Sequence, residues 1–163
     1  MPRLLVTDAN ILIDLALANN CDLLVLDGYR IVVSIDVFYE LNHTQKVRWQ
    51  PYADDGRLLL EEADEQTVAL LRSQYSASLS DADLTFFALL QAENWTVLSG
   101  DQKLVKACQS AGYDAHGLLW LFDQHAAQSV NYAMLYNTLA FIMSCNDRLP
   151  QDECNTRLTK WGG

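Results

Sequence analysis

Three times the chain repeats one pattern, a short apolar run that passes almost directly into residues of helical character. RLLVT at 3–7 precedes ANILIDLALANN, IVVSI at 31–35 precedes a helix from about Asp36, and WTVLS at 95–99 precedes DQKLVKACQSAG, a helix over 101–112 ended by Gly112. Strands this apolar have no face to spare for water, and their alternation with helices predicts a parallel sheet covered on both sides. The rest of the chain fits the same scheme. DEQTVALLRSQY (64–75) reads as a helix, 76–94 as a loop and then a helix, and RLLLEEA (57–63) as a strand or the start of a helix. QPYADDG (50–56) reads as a polar turn, and the chain from about His116 onward as mostly helical with a polar interruption at 145–153. With 163 residues, half of them hydrophobic, one domain can build its core without disulfides or metals.

Charge and cysteine usage narrow the functional classes. Eleven basic against 21 acidic residues leave a formal charge of −10, the wrong sign for holding nucleic acid by counterion release alone. A polyanionic substrate then needs divalent cations, a local basic patch or a basic partner. Cys21, Cys108, Cys145 and Cys154 form no C-x-x-C pair and read as buried thiols in a reducing cytoplasm. The first apolar run is too short for a membrane span and is broken by Asp8, so a soluble, cytoplasmic protein without signal peptide or membrane anchor is expected.

Asp8 is also the residue hardest to explain by folding alone. It interrupts the end of an apolar strand, with Asn10 two positions on, and burying both costs free energy unless they are paired or coordinated. Other acidic residues follow strands in the same way: Glu40 after IVVSI, Asp83 after LS, and Asp101 after TVLSG. In a parallel sheet, sites form outside the carboxyl ends of the strands, so the four would share one rim and repel one another. A hard cation such as Mg²⁺ or Mn²⁺, which takes oxygen ligands, would relieve that repulsion. Each residue also has a structural reading. Asp101 after Gly100 is a good N-cap, Asp83 stands three after Ser80 at capping-box spacing, and Glu40 suits a solvated helix surface.

These segments carry a resemblance. TDANILIDL, VVSIDVFYEL, LSDADLTFFALL and VLSGDQKLVKA are similar, in order and spacing over roughly residues 3–122, to the four acidic segments of PIN-domain nucleases. HGLLWLFDQHAAQ and the later NDRLP resemble the C-terminal extension of the VapC-type toxin branch. The resemblance implies a three-layer α/β/α sandwich with a central parallel sheet, a single PIN-like domain over 1–163, and a mainly helical extension over 117–163. It implies metal-dependent hydrolysis of RNA by activated water, leaving a 3′-hydroxyl and a 5′-phosphate. Carried over residue by residue, the catalytic and metal-holding quartet is Asp8, Glu40, Asp83 and Asp101, supported by Asn10 and Ser99. Asp81 falls outside the L-S-x-x-D register, and Gly100 stands where many relatives have a further acidic residue. The partners implied are an RNA substrate and an antitoxin that brings an Arg or Lys to the carboxylates.

Substrate contacts are less marked. Lys46, Arg48, Trp49, Tyr52 and Arg57 interleave basic and aromatic groups as a single-strand surface does, although such a run also suits an ordinary exposed loop. Lys103 and Lys106 follow Asp101 on its helix and could meet phosphate. His43, His116 and His125 lack ligand spacing. In SVNYAMLYNTLAFIMS (129–144), Val130, Met134, Leu135, Leu139, Ile142 and Met143 make a wide apolar face suited to packing on the sheet. Tyr132 and Tyr136 there leave surface for a homodimer or an antitoxin helix. Two alternatives stay open: a phosphatase of the haloacid-dehalogenase kind, weakened because Asn10 stands where its acid/base Asp belongs, and a non-catalytic PIN-like module that binds RNA or protein.

Overall fold

The computed structural model describes residues 3–75, 88–89, 95–128 and 131–162. Within them lie strands β1 (Arg3–Thr7), β2 (Tyr29–Ser34), β3 (Leu58–Glu61), β4 (Trp95–Leu98) and β5 (Asp114–His116). The helices are α1 (Ala9–Leu17), α2 (Ile35–Tyr39), α3 (His43–Asp54), α4 (Glu65–Tyr75), α5 (Gln102–Ser110), α6 (Leu118–Ala127), α7 (Tyr132–Cys145) and α8 (Gln151–Gly162). The strands form one five-stranded sheet in the order β3-β2-β1-β4-β5, every neighbouring pair parallel. The fold is therefore α/β, with its strand order reversing between β1 and β4.

Alternation along the strands explains why helices are needed on both faces. Leu5, Ile31, Val33 and Leu98 join a core with α1, Trp49 of α3 and the C-terminal helices. Val6 and Val97, one residue out of phase, join a second core with Leu104, Val105 and Cys108 of α5. The C-terminal helices share the first core through Leu121, Phe122, Leu135, Leu139 and Trp161.

Several expectations change. Residues 50–54, read as a turn, belong to α3, which runs through Pro51 and gives way at Gly56, where φ is +84°. Propensity lost to packing there: Trp49 is fully buried and holds the helix on α1. The 57–63 segment resolves as strand β3, and β5, three residues long, carries too little periodicity to be read from sequence. Helix α7 packs chiefly on α8, with smaller contacts to α1 and α6, rather than on the sheet. Cys21, Cys108 and Cys154 are buried thiols, but Cys145 is exposed. No helix among the described residues is long and apolar enough to cross a membrane.

Candidate active site

Asp8 is the first residue beyond β1, and Ser99 the first beyond β4. The register pairs Thr7 with Leu98, so their successors stand side by side. Continuing the β1–β2 register two residues past Val6–Val32 sets Ser34 on the other side of Asp8. A polar row, Ser34, Asp8 and Ser99, thus crosses the carboxyl rim where the strand order reverses, the place where open α/β sheets form a crevice. All three are buried, at 1%, 6% and 0% exposure.

Each of the three strand ends turns the chain into a helix. Asp8 accepts from the Ile11 N–H at 3.3 Å, the Ser34 hydroxyl oxygen accepts from Val37 at 3.0 Å, and Asp101 accepts from Lys103 at 2.9 Å and Leu104 at 3.4 Å. Helix N-termini offer unpaired N–H groups and the positive end of the dipole, so carboxylates suit them. The capping reading therefore holds for Asp101, and Asp8, for which no such role was expected, caps α1 as well. They are nevertheless not separate caps. The Ser99 hydroxyl donates to Asp8 Oδ2, while the same Oγ accepts from the Asp101 N–H at 3.0 Å and the Gly100 N–H donates to Asp8 Oδ1 at 3.4 Å. One buried hydroxyl ties two carboxylate-bearing strand ends together. Both cap bonds of Asp101 fall on Oδ1, leaving Oδ2 without a hydrogen bond among the described residues.

Gly100 is fixed by the same crowding. A Cβ there would stand 2.7 Å from the Cβ of Asn10, closer than side chains tolerate. The acidic residue that the resemblance leads one to seek at this position is excluded by Asn10 itself.

No protein-family model matches the chain, and no curated protein does either. The site is therefore read from its geometry.

Asn10 opens a second network that the sequence reading missed. Its Oδ1 accepts from Arg148 Nη1 at 3.2 Å, and Arg148 Nε donates to Asn146 Oδ1 at 3.1 Å. Asn146 Nδ2 in turn donates to Asp14 Oδ2 at 3.0 Å. Asp14 is buried, and burial raises its carboxyl pKa, with the Asn146 hydrogen bond and the Arg148 charge acting in the opposite direction. A signal for Asp14 was available, because it stands four residues after Asn10 and so on the same side of α1. Arg148 and Asn146 are more than 130 residues away in sequence, and no local pattern points from them to Asn10.

The remaining candidates divide. Glu40 is exposed at the C-cap of α2, one short helix beyond Ser34. Asp83 and Asp81 lie outside the described residues, as does Val130. Among the described residues no three His, Cys, Asp or Glu side chains group at metal-holding distance. Asp8 and Asp101 offer oxygen donors only, which is the chemistry of a hard cation. Cys108 in the core behind them is no competitor, because burial, and to a smaller extent the Asp8 charge, pushes its thiol pKa up to about 11.

The basic-aromatic segment is used differently from the expectation. Trp49 donates through its indole N–H to the Leu12 carbonyl at 2.9 Å in the core, which withdraws it from any RNA-contact surface. Arg48 donates to the Ala16 carbonyl at the far end of α1, eight residues from Asp8 and thus roughly 12 Å along the helix. Lys46 lies over the Tyr39 ring at 5.3 Å, and Arg57 over Tyr52 at 4.0 Å. Lys103 is exposed in the first turn of α5, two residues from Asp101. The histidines stay apart: His116 stacks on Trp120 and pairs with Asp114 at 2.8 Å, and His125 donates to the Leu23 carbonyl.

Proposed function

We propose that the chain is a divalent-metal-dependent endoribonuclease of the PIN-like kind. The observation that carries this reading is the pair Asp8 and Asp101, brought from two strand ends to the switch point of the sheet and bridged by the buried Ser99 hydroxyl. Carboxylates so placed, with one Asp101 oxygen that takes no hydrogen bond among the described residues, suit Mg²⁺ or Mn²⁺. Asp8 and Asp101 would hold the ion, with Glu40 and Asp83 as the further carboxylates. A bound ion would lower the pKa of a water so that it loses its proton and attacks phosphorus as hydroxide, and would neutralise charge on the phosphoryl oxygens.

The chain's own groups orient the reaction. Ser99 and the Gly100 N–H fix the Asp8 carboxylate on both oxygens, and the N-termini of α1 and α5 add positive potential where a phosphate would arrive. With a formal charge of −10, affinity for RNA depends on the cation and on the few basic groups at the rim. In the VapC-type reading the chain is the toxin of a pair, and an antitoxin cation delivered to the carboxylates would silence it.

The test is cleavage of end-labelled single-stranded RNA in Mg²⁺ or Mn²⁺ and in chelator, alongside a small phosphoester. Metal-dependent cuts leaving 5′-phosphates are expected, with no turnover of the small ester. RNA left whole in both metals, or cut equally well in chelator, refutes the proposal.

A further inference from the structure

The loop between α7 and α8 places one cation at the acidic rim, and it is held there by buried groups. Asp14 and Asn146, 3% and 8% exposed, form the anchor. Asn146 Oδ1 accepts both from the Arg148 backbone N–H at 2.9 Å and from Nε at 3.1 Å, so loop and side chain are fixed together. Nη1 then reaches Asn10 Oδ1, two residues from Asp8. These side-chain bonds use two of the five guanidinium N–H donors. The side chain is otherwise exposed, and its remaining donors make no further hydrogen bond among the described residues.

Half-buried Arg157 is neutralised by Asp123 at 2.6 Å and 2.8 Å, and exposed Arg48 donates to the Ala16 carbonyl. Arg148 is instead braced through two neutral carboxamides, which orient the fork without neutralising it.

The geometry points to Arg148 as a substrate-contacting residue that grips a phosphate of the RNA chain at this rim, its guanidinium oriented by the Asp14–Asn146 anchor and Asn10. Planar, fixed guanidinium groups match the two non-bridging oxygens of a phosphodiester, and the charge supplies locally what the chain lacks globally. This rests on the ribonuclease reading and assigns that site its phosphate-binding cation.

The experiment compares wild type, Arg148→Gln and Arg148→Lys for metal-dependent RNA cleavage, thermal stability, and salt dependence of RNA binding, the last in an Asp8→Asn background that does not cut. Arg148→Gln is expected to lower kcat/KM about 10- to 100-fold, with Tm little changed. The slope of log affinity against log salt should fall by about one. Arg148→Lys should keep the salt slope and recover only part of kcat/KM, because a point charge cannot grip two oxygens. Active wild type with unchanged Arg148→Gln kinetics overturns this inference alone. So does a loss that follows Tm at constant salt slope, which marks a structural pin, or a gain of activity, which marks a block. A wild type that cuts no RNA in any metal removes the ribonuclease reading and this inference with it.

Discussion

The two ends of α1 are built on opposite terms. At its N-terminus the Ile11 N–H is met by Asp8, a buried carboxylate shared with Ser99 and Gly100 from another strand. At its C-terminal end the Ala16 carbonyl is met by Arg48, and Trp49 adds a bond to the Leu12 carbonyl. Asp8 and Arg48 follow the helix dipole and meet groups in the end turns, which an isolated helix leaves unpaired. The two ends differ in what remains afterwards. The C-terminal end uses its aromatic and cationic groups in packing, whereas the N-terminal end gathers charge at a rim and leaves Asp101 Oδ2 without a hydrogen bond among the described residues.

Substitutions at the two ends should therefore separate activity from stability. Asp8→Asn keeps an oxygen for the Ile11 N–H and removes the charge. It should abolish RNA cleavage by about a thousandfold or more while melting near wild type, measured by initial rates and calorimetry. If instead it melts far lower and its specific activity per folded molecule survives, the two ends are alike and both structural. Trp49→Ala should show the reverse, a stability loss of about 3–5 kcal/mol in denaturant titration with cleavage per folded molecule intact. Gly100→Ala lies between: its new methyl meets Asn10, so a loss of about 1–3 kcal/mol is expected together with reduced cleavage.

The Asp14 anchor gives a pH test. Because its folded pKa is raised above the ordinary 3.8, the stability it contributes is complete below that value and is lost as pH rises through the raised one. Asp14→Asn, which still accepts from Asn146, removes that dependence. Its Tm relative to wild type should climb as pH is raised over this window, and a constant difference would show that Asp14 is not the titrating group. The smallest effect is expected at Lys46→Ala. A half-buried cation over the exposed Tyr39 ring adds little to stability, so neither Tm nor cleavage should change measurably.

How much of this could be read from the sequence follows from how local each signal is. RLLVT, IVVSI and WTVLS announce buried parallel strands because both faces must be apolar, and Asp8 and Asp101 mark the strand ends by breaking those runs. Their juxtaposition needs the β1–β4 register, which follows from topology rather than from any one segment. Trp49 misled because an aromatic among basic residues looks alike in a binding loop and on a buried helix face; only its Leu12 partner distinguishes them. Arg148 was missed for the converse reason. Its meaning lies in Asn10 and Asp14, more than a hundred residues earlier, and NDRLP by itself reads as a polar break between helices.

The central claim is that Asp8 and Asp101 share a divalent ion, and direct titration with Mn²⁺ tests it without reference to any substrate. Calorimetry should show saturable binding to wild type, with Asp8→Asn and Asp101→Asn each weaker by about tenfold or more, since each keeps its helix cap and loses one anionic ligand. Identical Mn²⁺ isotherms for all three proteins, or no binding to wild type, would contradict it.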